Sequence, residues 1–260
     1  MASANRVIAR LDIKNNRLIK GVHLEGWKDL GDPFEHAYRY YREGIDEILY
    51  LDTVASLYNR DLVEKILEMT SKNIFIPITA GGGIRTIDDA ARLLKAGADK
   101  VAINSGAILR PELITELANR FGSQCVVVYI EAKYLTENHW RVFYDAAREP
   151  SNYFILEWIK QIEALGAGEI LLTSIDREGT GKGFDLELLQ QVSSSVSIPV
   201  IASGGFGKAE DFVSAVKIGR VSAVAIAHAL HYQKIYIQTL KNTLLSLGLS
   251  IRKTTEWETV

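Results

Sequence analysis

The chain has 260 residues, 47% apolar and 24% charged, a globular mixture of a size at which a single domain spanning residues 1–260 is expected. Thirty basic residues stand against 32 acidic ones, which excludes recruitment by bulk charge to nucleic acid or to an anionic membrane surface. No apolar run approaches the roughly 20 residues that cross a bilayer, and Met1 to Arg10 lack a signal-peptide core, so a soluble cytosolic protein is expected.

In chain order, short β-rich runs alternate with helix-patterned segments, the signature of βα units and a parallel sheet. Eight strands are predicted: Val7 to Asp12, Glu47 to Leu51, Ile76 to Ala80, Lys100 to Asn104, Cys125 to Glu131, Glu169 to Ser174, Pro199 to Ser203 and Ala223 to Ala227. Eight such units in one domain predict a closed (β/α)8 barrel. Cys125 is the only cysteine, set in the apolar run Cys125 to Ile130, and is expected as a buried core thiol. Five scattered histidines offer no metal-ligand spacing. Ser250 to Val260 is expected to be a surface extension.

The two halves of the chain overlay at a nearly fixed offset. Gly44-Ile45-Asp46-Glu47-Ile48-Leu49 matches Gly166-Ala167-Gly168-Glu169-Ile170-Leu171, and Ile76-Pro77 with Gly82-Gly83 matches Ile198-Pro199 with Gly204-Gly205. Asp89 and Gly97 then match Asp211 and Gly219, and Leu11-Asp12-Ile13-Lys14 matches Ile130-Glu131-Ala132-Lys133. A pseudo-two-fold barrel follows, and a doubly charged ligand is its natural guest.

Gly81-Gly82-Gly83 follows the third strand and Gly204-Gly205 the seventh, each before a helix. Glycines there let backbone N–H groups approach an oxyanion, so each loop is a candidate phosphate cradle. Asn104 and Ser105 complete the first after the fourth strand, and Ala227 and His228 the second after the eighth. Two cradles imply a bisphosphate; tight turning alone is the structural alternative. Asp12 and Glu131 end strands on opposite sides of the barrel, where paired carboxylates suit a general acid and a general base. Arg6, Glu47, Lys100 and Glu169 each begin a strand, and Arg6 shares the inward parity of Asp12. Together they form a charge-balanced ring at the N-terminal end, which on residue chemistry alone is a salt-bridged bottom layer.

Ala9-Arg10-Leu11-Asp12-Ile13-Lys14, Ala80-Gly81-Gly82-Gly83-Ile84, Gly97-Ala98-Asp99-Lys100, the run Gly166 to Arg177 and Ala202-Ser203-Gly204-Gly205 make a chain that resembles the cyclase subunits of imidazole glycerol phosphate synthase over essentially its whole length. The resemblance implies a glutaminase partner at the N-terminal face, whose ammonia crosses the barrel to a phosphorylated substrate at the top. It implies that Asp12 and residue 131 shuttle protons, that Lys20 lies on a mobile loop covering the substrate, and that no metal or organic cofactor is needed. The bottom ring then becomes an ammonia gate. A sugar-phosphate isomerase would use the carboxylate pair but has no need of that gate.

The pattern is broken at the substrate end. The family's second carboxylate is Asp where Glu131 stands, and Arg10 and Tyr129 occupy inward positions where the family carries small side chains. Both are expected to fill the interior, and an arginine there is expected to favour ionised carboxylates. His228 replaces a small hydroxyl residue, Glu178 an aspartate, and Asn15-Asn16 an Asp-Gly pair. Gly21-Val22-His23-Leu24-Glu25-Gly26 and Ile130-Glu131-Ala132-Lys133 resemble a paralogous group linked to acetamidino modification of surface polysaccharides. That likeness implies a second function, a docking subunit that passes ammonia to a sugar amidotransferase.

Overall fold

The computed structural model describes residues 4–54 and 62–254. From the N-terminus, β1 (Arg6–Lys14) turns into β2 (Arg17–Val22) and β3 (Glu25–Gly31), then α1 (Pro33–Arg42), β4 (Glu47–Asp52), α2 (Leu62–Asn73), β5 (Ile78–Gly81), α3 (Ile87–Lys95) and β6 (Lys100–Ile103). The first half ends with α4 (Ser105–Leu109) and α5 (Glu112–Phe121). The second runs through β7 (Val126–Thr136), β8 (His139–Tyr144), β9 (Glu149–Phe154), α6 (Ile155–Ala164), β10 (Glu169–Ser174), α7 (Leu186–Ser195) and β11 (Val200–Ser203). It closes with α8 (Ala209–Lys217), β12 (Ala223–Ile226), α9 (His228–His231) and α10 (Ile237–Ser246).

Strands β1, β4, β5, β6, β7, β10, β11 and β12 pair in parallel in that order, and β12 returns to β1, with Arg6 opposite Ala223 and Ile8 opposite Glu47. This is the expected (β/α)8 barrel, with each of the eight predicted strands present. Strand alternation divides the core in two. Val7, Ala9, Leu11 and Ile13 of β1 point outward into the large core beneath the helices, while Ile8, Leu49, Ala102, Val127, Leu171, Ile201, Ala223 and Ala225 pack along the barrel axis.

Local chemistry sets the helix starts. Asp32 accepts from Phe34 N at 2.7 Å and Pro33 opens α1, while Thr86 and Asp89 form a capping box on α3. The internal repeat persists in these bonds. Asp89 Oδ2 accepts from the amides of Arg85 and Thr86 at 3.0 and 2.9 Å; its partner Asp211 accepts from those of Gly207 and Lys208, both at 2.9 Å. Each aspartate thereby fixes the loop that follows a glycine-rich turn.

Two antiparallel hairpins, β2–β3 and β8–β9, were not among the predicted strands. They sit at equivalent places, where β1 and β7 run beyond the barrel wall. Asn15 and Asn16 make the turn from β1 into β2 with φ of 52° and 61°, a left-handed pair that asparagine tolerates, which accounts for their standing in for Asp-Gly.

Two expectations are corrected. The described part of the C-terminal tail is docked rather than a free extension: Ile251 bridges Asn5 and is buried, and Arg252 donates to Asp46 Oδ1 at 2.7 Å and to the carbonyl of Ile45 at 2.9 Å. Residues 255–260 of that prediction lie outside the described residues. Cys125 is half-buried, because the chain makes a 3₁₀ turn over Ser123–Cys125 before entering the barrel wall at Val126. Among the described residues no helix is long and apolar enough to cross a membrane.

Candidate active site and the charged floor

Along the axis, side chains of even parity on β1 and odd parity on β7 and β10 stack from floor to mouth. At the floor, Arg6 Nη1 meets Glu47 Oε1 at 2.7 Å and its Nη2 bonds Glu169, while Lys100 Nζ reaches Glu169 Oε2 at 2.8 Å and Glu47 Oε2 at 3.9 Å. The four residues singled out in the sequence therefore do form one ring. Both glutamates are buried and paired with two cations, which balances their charge. Above the ring lies the apolar axial layer.

Above that layer Arg10, 1% exposed, spans the interior. Its Nε donates to Asp12 Oδ1 at 2.9 Å, Nη1 to Thr173 Oγ1 and Ser203 Oγ at 2.9 and 3.0 Å, and Nη2 to the Tyr129 hydroxyl at 3.0 Å. Burial opposes its charge, but Asp12, Tyr129 and Glu178 together hold the guanidinium above its usual range. Arg10 and Tyr129 thus fill the axis, as their inward parity predicted.

Asp12 and Glu131 line the mouth just above. Glu131 Oε2 accepts from the amide of Ala147 at 2.9 Å, at a turn where Asp145, Ala146 and Ala147 have φ of 56°, 56° and 61°. Three successive non-glycine residues in the left-handed region cost roughly 1 kcal/mol each or more, strain stored beside a buried carboxylate. Burial pushes the Glu131 carboxyl up to about 7, against the bonds from Ala147 and Tyr129 and the charge of Arg10. The expectation that Arg10 favours an ionised Glu131 is corrected: desolvation outweighs it, because the guanidinium is aimed at Asp12.

Lys20, on β2, is fully buried in an ion pair with Glu178, and its Nζ lies 3.7 Å from Asp12 Oδ2. The segment carrying it is docked on the loop after β10: His23 N donates to Glu178 O at 2.9 Å, and His23 Nδ1 lies 2.8 Å from Ile175 O. Glu178 is a site residue that sequence reasoning noted only as a substitution. Its contact with Lys20 spans 158 residues, and no local pattern signals it.

A cavity of about 480 Å³ opens over the first half of the barrel. Asp12, Lys20, Glu131, Gly82, Gly83, Asn104 and Ser105 all line it, with Trp27 and Tyr144 on its walls. The structure thus brings the first predicted cradle to the carboxylate pair. The Asn104 amide is already committed, donating to the carbonyl oxygens of Tyr129 and Phe143 at 3.0 and 3.4 Å; Ser105 Oγ accepts from Asp145 N at 3.2 Å. Gly204, Gly205, Ala227 and His228 lie outside this cavity wall. Glu178 Oε2 stands 3.2 Å from where a Cβ on Gly204 would sit. Burial and then Lys234 push the His228 imidazole below its usual range, so it is mainly neutral near pH 7. Backbone conformation still repeats, Asn104 at φ −125°, ψ −85° and Ala227 at φ −121°, ψ −76°.

The profile of the family described as Histidine biosynthesis protein matches residues 6–236. The chain belongs to that family. Its relatives include imidazole glycerol phosphate synthase subunit HisF of Legionella pneumophila, 60% identical over 80% of this chain and 98% of the relative. HisF of a Hydrogenobaculum species is 48% identical over 96% and 99%, and HisF of Natranaerobius thermophilus 45% over the same shares. This is a HisF-type chain, a cyclase-type subunit of imidazole glycerol phosphate synthase. The polysaccharide-linked paralogue suggested by the loop sequences finds no support among these relatives.

Proposed function

We propose that the chain accepts ammonia from a HisH-type glutaminase docked on its N-terminal face and uses it on a bisphosphate ribotide, forming imidazole glycerol phosphate and releasing an aminoimidazole carboxamide ribotide. One observation carries this reading: two buried carboxylates from opposite sides of the barrel line one cavity together with a glycine cradle, while a salt-bridged ring closes the far end. Asp12 and Glu131 move protons during ring closure. Lys20 holds the β2–β3 hairpin over the mouth through Glu178. Gly82, Gly83 and Ser105 seat one phosphate, and Gly204, Gly205, Ala227 and His228 contribute backbone to a second. Arg6, Glu47, Lys100 and Glu169 gate ammonia.

The test supplies purified protein with the bisphosphate ribotide and saturating ammonium, bypassing the glutaminase. Imidazole glycerol phosphate is expected, with Asp12→Asn and Glu131→Gln each reducing turnover by about a hundredfold or more. Absence of product in the wild type, with turnover appearing only when Glu131→Asp is combined with Arg10→Ala, would sink the reading and leave a barrel that docks a glutaminase without cyclising.

A further inference from the structure

The turn after β8 carries three successive left-handed residues, Asp145, Ala146 and Ala147, and such strain persists only where the surroundings hold it. Strand pairing stops just before it, with Tyr144 opposite Glu149. Hydrogen bonds to its neighbours do the holding. Ala147 N donates to Glu131 Oε2 at 2.9 Å, and Arg148 Nε donates to the carbonyl oxygen of Asp145 at 2.8 Å. From the first cradle, Ser105 Oγ accepts from Asp145 N at 3.2 Å, and the Asn104 amide donates to the carbonyl oxygen of Phe143 at 3.4 Å. Both cradle bonds are longer than an ordinary N–H···O bond of about 2.9 Å.

The turn also has room to move. Ala146 lines the cavity of about 480 Å³, and it lines a second cavity of about 770 Å³ together with Ala147, Arg148, His23 and Asp176. Ser105 is the joint between this turn and a ligand. A hydroxyl donates its one proton and accepts at the same time. The Ser105 proton goes to Asn104 Oδ1 at 3.3 Å, a long bond to a neutral partner. An anion in the cradle is a stronger acceptor for that proton, and a hydroxyl that donates to an anion accepts more strongly from Asp145 N.

We propose that the first cradle and Glu131 are coupled through this strained turn. A phosphate on Ser105 tightens the bond from Asp145 N, holds residues 145–147 in their left-handed form, and so fixes the Glu131 carboxyl through Ala147 N. Without that anion the docked turn exchanges with an open form that the second cavity receives, in which Ala147 N has left Glu131. Ser105 and the three turn residues are thus positioning residues for Glu131. This coupling rests on phosphate being the guest of Gly82, Gly83 and Ser105, and on nothing in the cyclisation itself.

The test uses inorganic phosphate as the probe and reads amide hydrogen exchange by NMR of nitrogen-labelled protein. At about ten times its Kd, phosphate is expected to slow exchange of the Asp145 and Ala147 amides by about tenfold, because the docked turn is the form that binds it. In Ser105→Ala the glycine amides still take phosphate, and at the same multiple of that variant's own Kd the two turn amides are expected to keep their ligand-free rates. Full slowing in Ser105→Ala overturns the proposal. Should that variant not bind phosphate, Ala147→Gly decides: with the strain at that residue relieved, the Asp145 amide is expected to exchange about fivefold more slowly without any phosphate, and an unchanged or faster rate overturns the proposal. Phosphate that shifts the Gly82 and Gly83 amides of the wild type but leaves the Ala147 rate unmoved overturns the coupling alone. Phosphate that moves neither overturns the cradle and the coupling with it. No turnover is needed, so failure of the cyclase reading registers separately, in the ammonium assay.

Discussion

Glu131 does not behave as an ordinary carboxylate. Its carboxyl is raised from 4.5 to about 7 by burial, so the folded state binds a proton more tightly than the unfolded chain does. Stability linked to this group is therefore present below pH 4.5 and is lost as pH rises through 7. A shift of that size corresponds to about 3 kcal/mol. Glu131→Gln keeps an acceptor for the Ala147 amide without the titration. Urea unfolding of wild type and variant is expected to diverge between pH 5 and 8, the wild type losing up to that amount relative to the variant. Parallel curves across this range would mean that the carboxyl titrates as it does in water. If Glu131 is the donor, ammonium-supported turnover also falls above pH 7 once the ammonia concentration is held fixed.

At the scale of elements, the glycine loops are shaped by neighbours rather than by ligand alone. A Cβ on Gly82 would sit 2.4 Å from the carbonyl oxygen of Asp52, and its φ is +114°. Gly82→Ala is expected to cost more than about 2 kcal/mol in urea unfolding, through both clash and a backbone angle that alanine avoids. Gly26→Ala, at φ +63° in open space at the start of β3, is expected to cost only about 1 kcal/mol. Equal losses would show that strain, not the Asp52 contact, governs both.

The same elements show what the sequence made legible. The eight barrel strands are buried on both faces and read as continuous β-rich runs, so most were placed within two residues at each end. The exception is β7, which continues to Thr136 with an exposed burial pattern over its last four residues. The hairpins escaped because β3 and β9 are largely exposed and carry polar residues and no clean alternation. Asp12, Glu131 and the floor ring were legible because parity and the repeat locate strand ends. Glu178, Thr173 and Ser203 were not, since what makes them part of the site is Lys20 or Arg10, each more than 150 residues away. The second cradle rests on Gly204, Gly205, Ala227 and His228, and no local pattern in these residues reveals that the Glu178 carboxylate stands over Gly204.

For the whole molecule, the axis is a sequence of layers: charged floor, apolar lining, an arginine spanning the bore, then the carboxylate pair and its cavity. In the proposed reaction, ammonia entering from below meets the arginine before the substrate. The floor is also braced from outside. Asp46, next to the ring residue Glu47, accepts from Lys241 Nζ at 2.6 Å and from Arg252 Nε at 2.7 Å, and its other oxygen takes the amide of Val7 at 2.8 Å. Arg252 is about half exposed, so screening discounts its ion pair, and Lys241 remains to neutralise Asp46. Arg252→Ala is expected to cost about 1 kcal/mol and to lower the melting temperature by about 2–4 °C, measured by calorimetry. A fall of more than about 8 °C would make the docked tail a principal support of the barrel.

The bridge between Asn5 and Ile251 brings the two ends of the barrel sequence side by side on the floor. Topologically the molecule is thus almost a ring. A circular permutation that joined these ends through a short linker and opened the chain between Gly122 and Ser123 would exchange the order of the halves and still preserve every strand pairing of the barrel wall. Which half comes first is then a matter of history rather than of architecture.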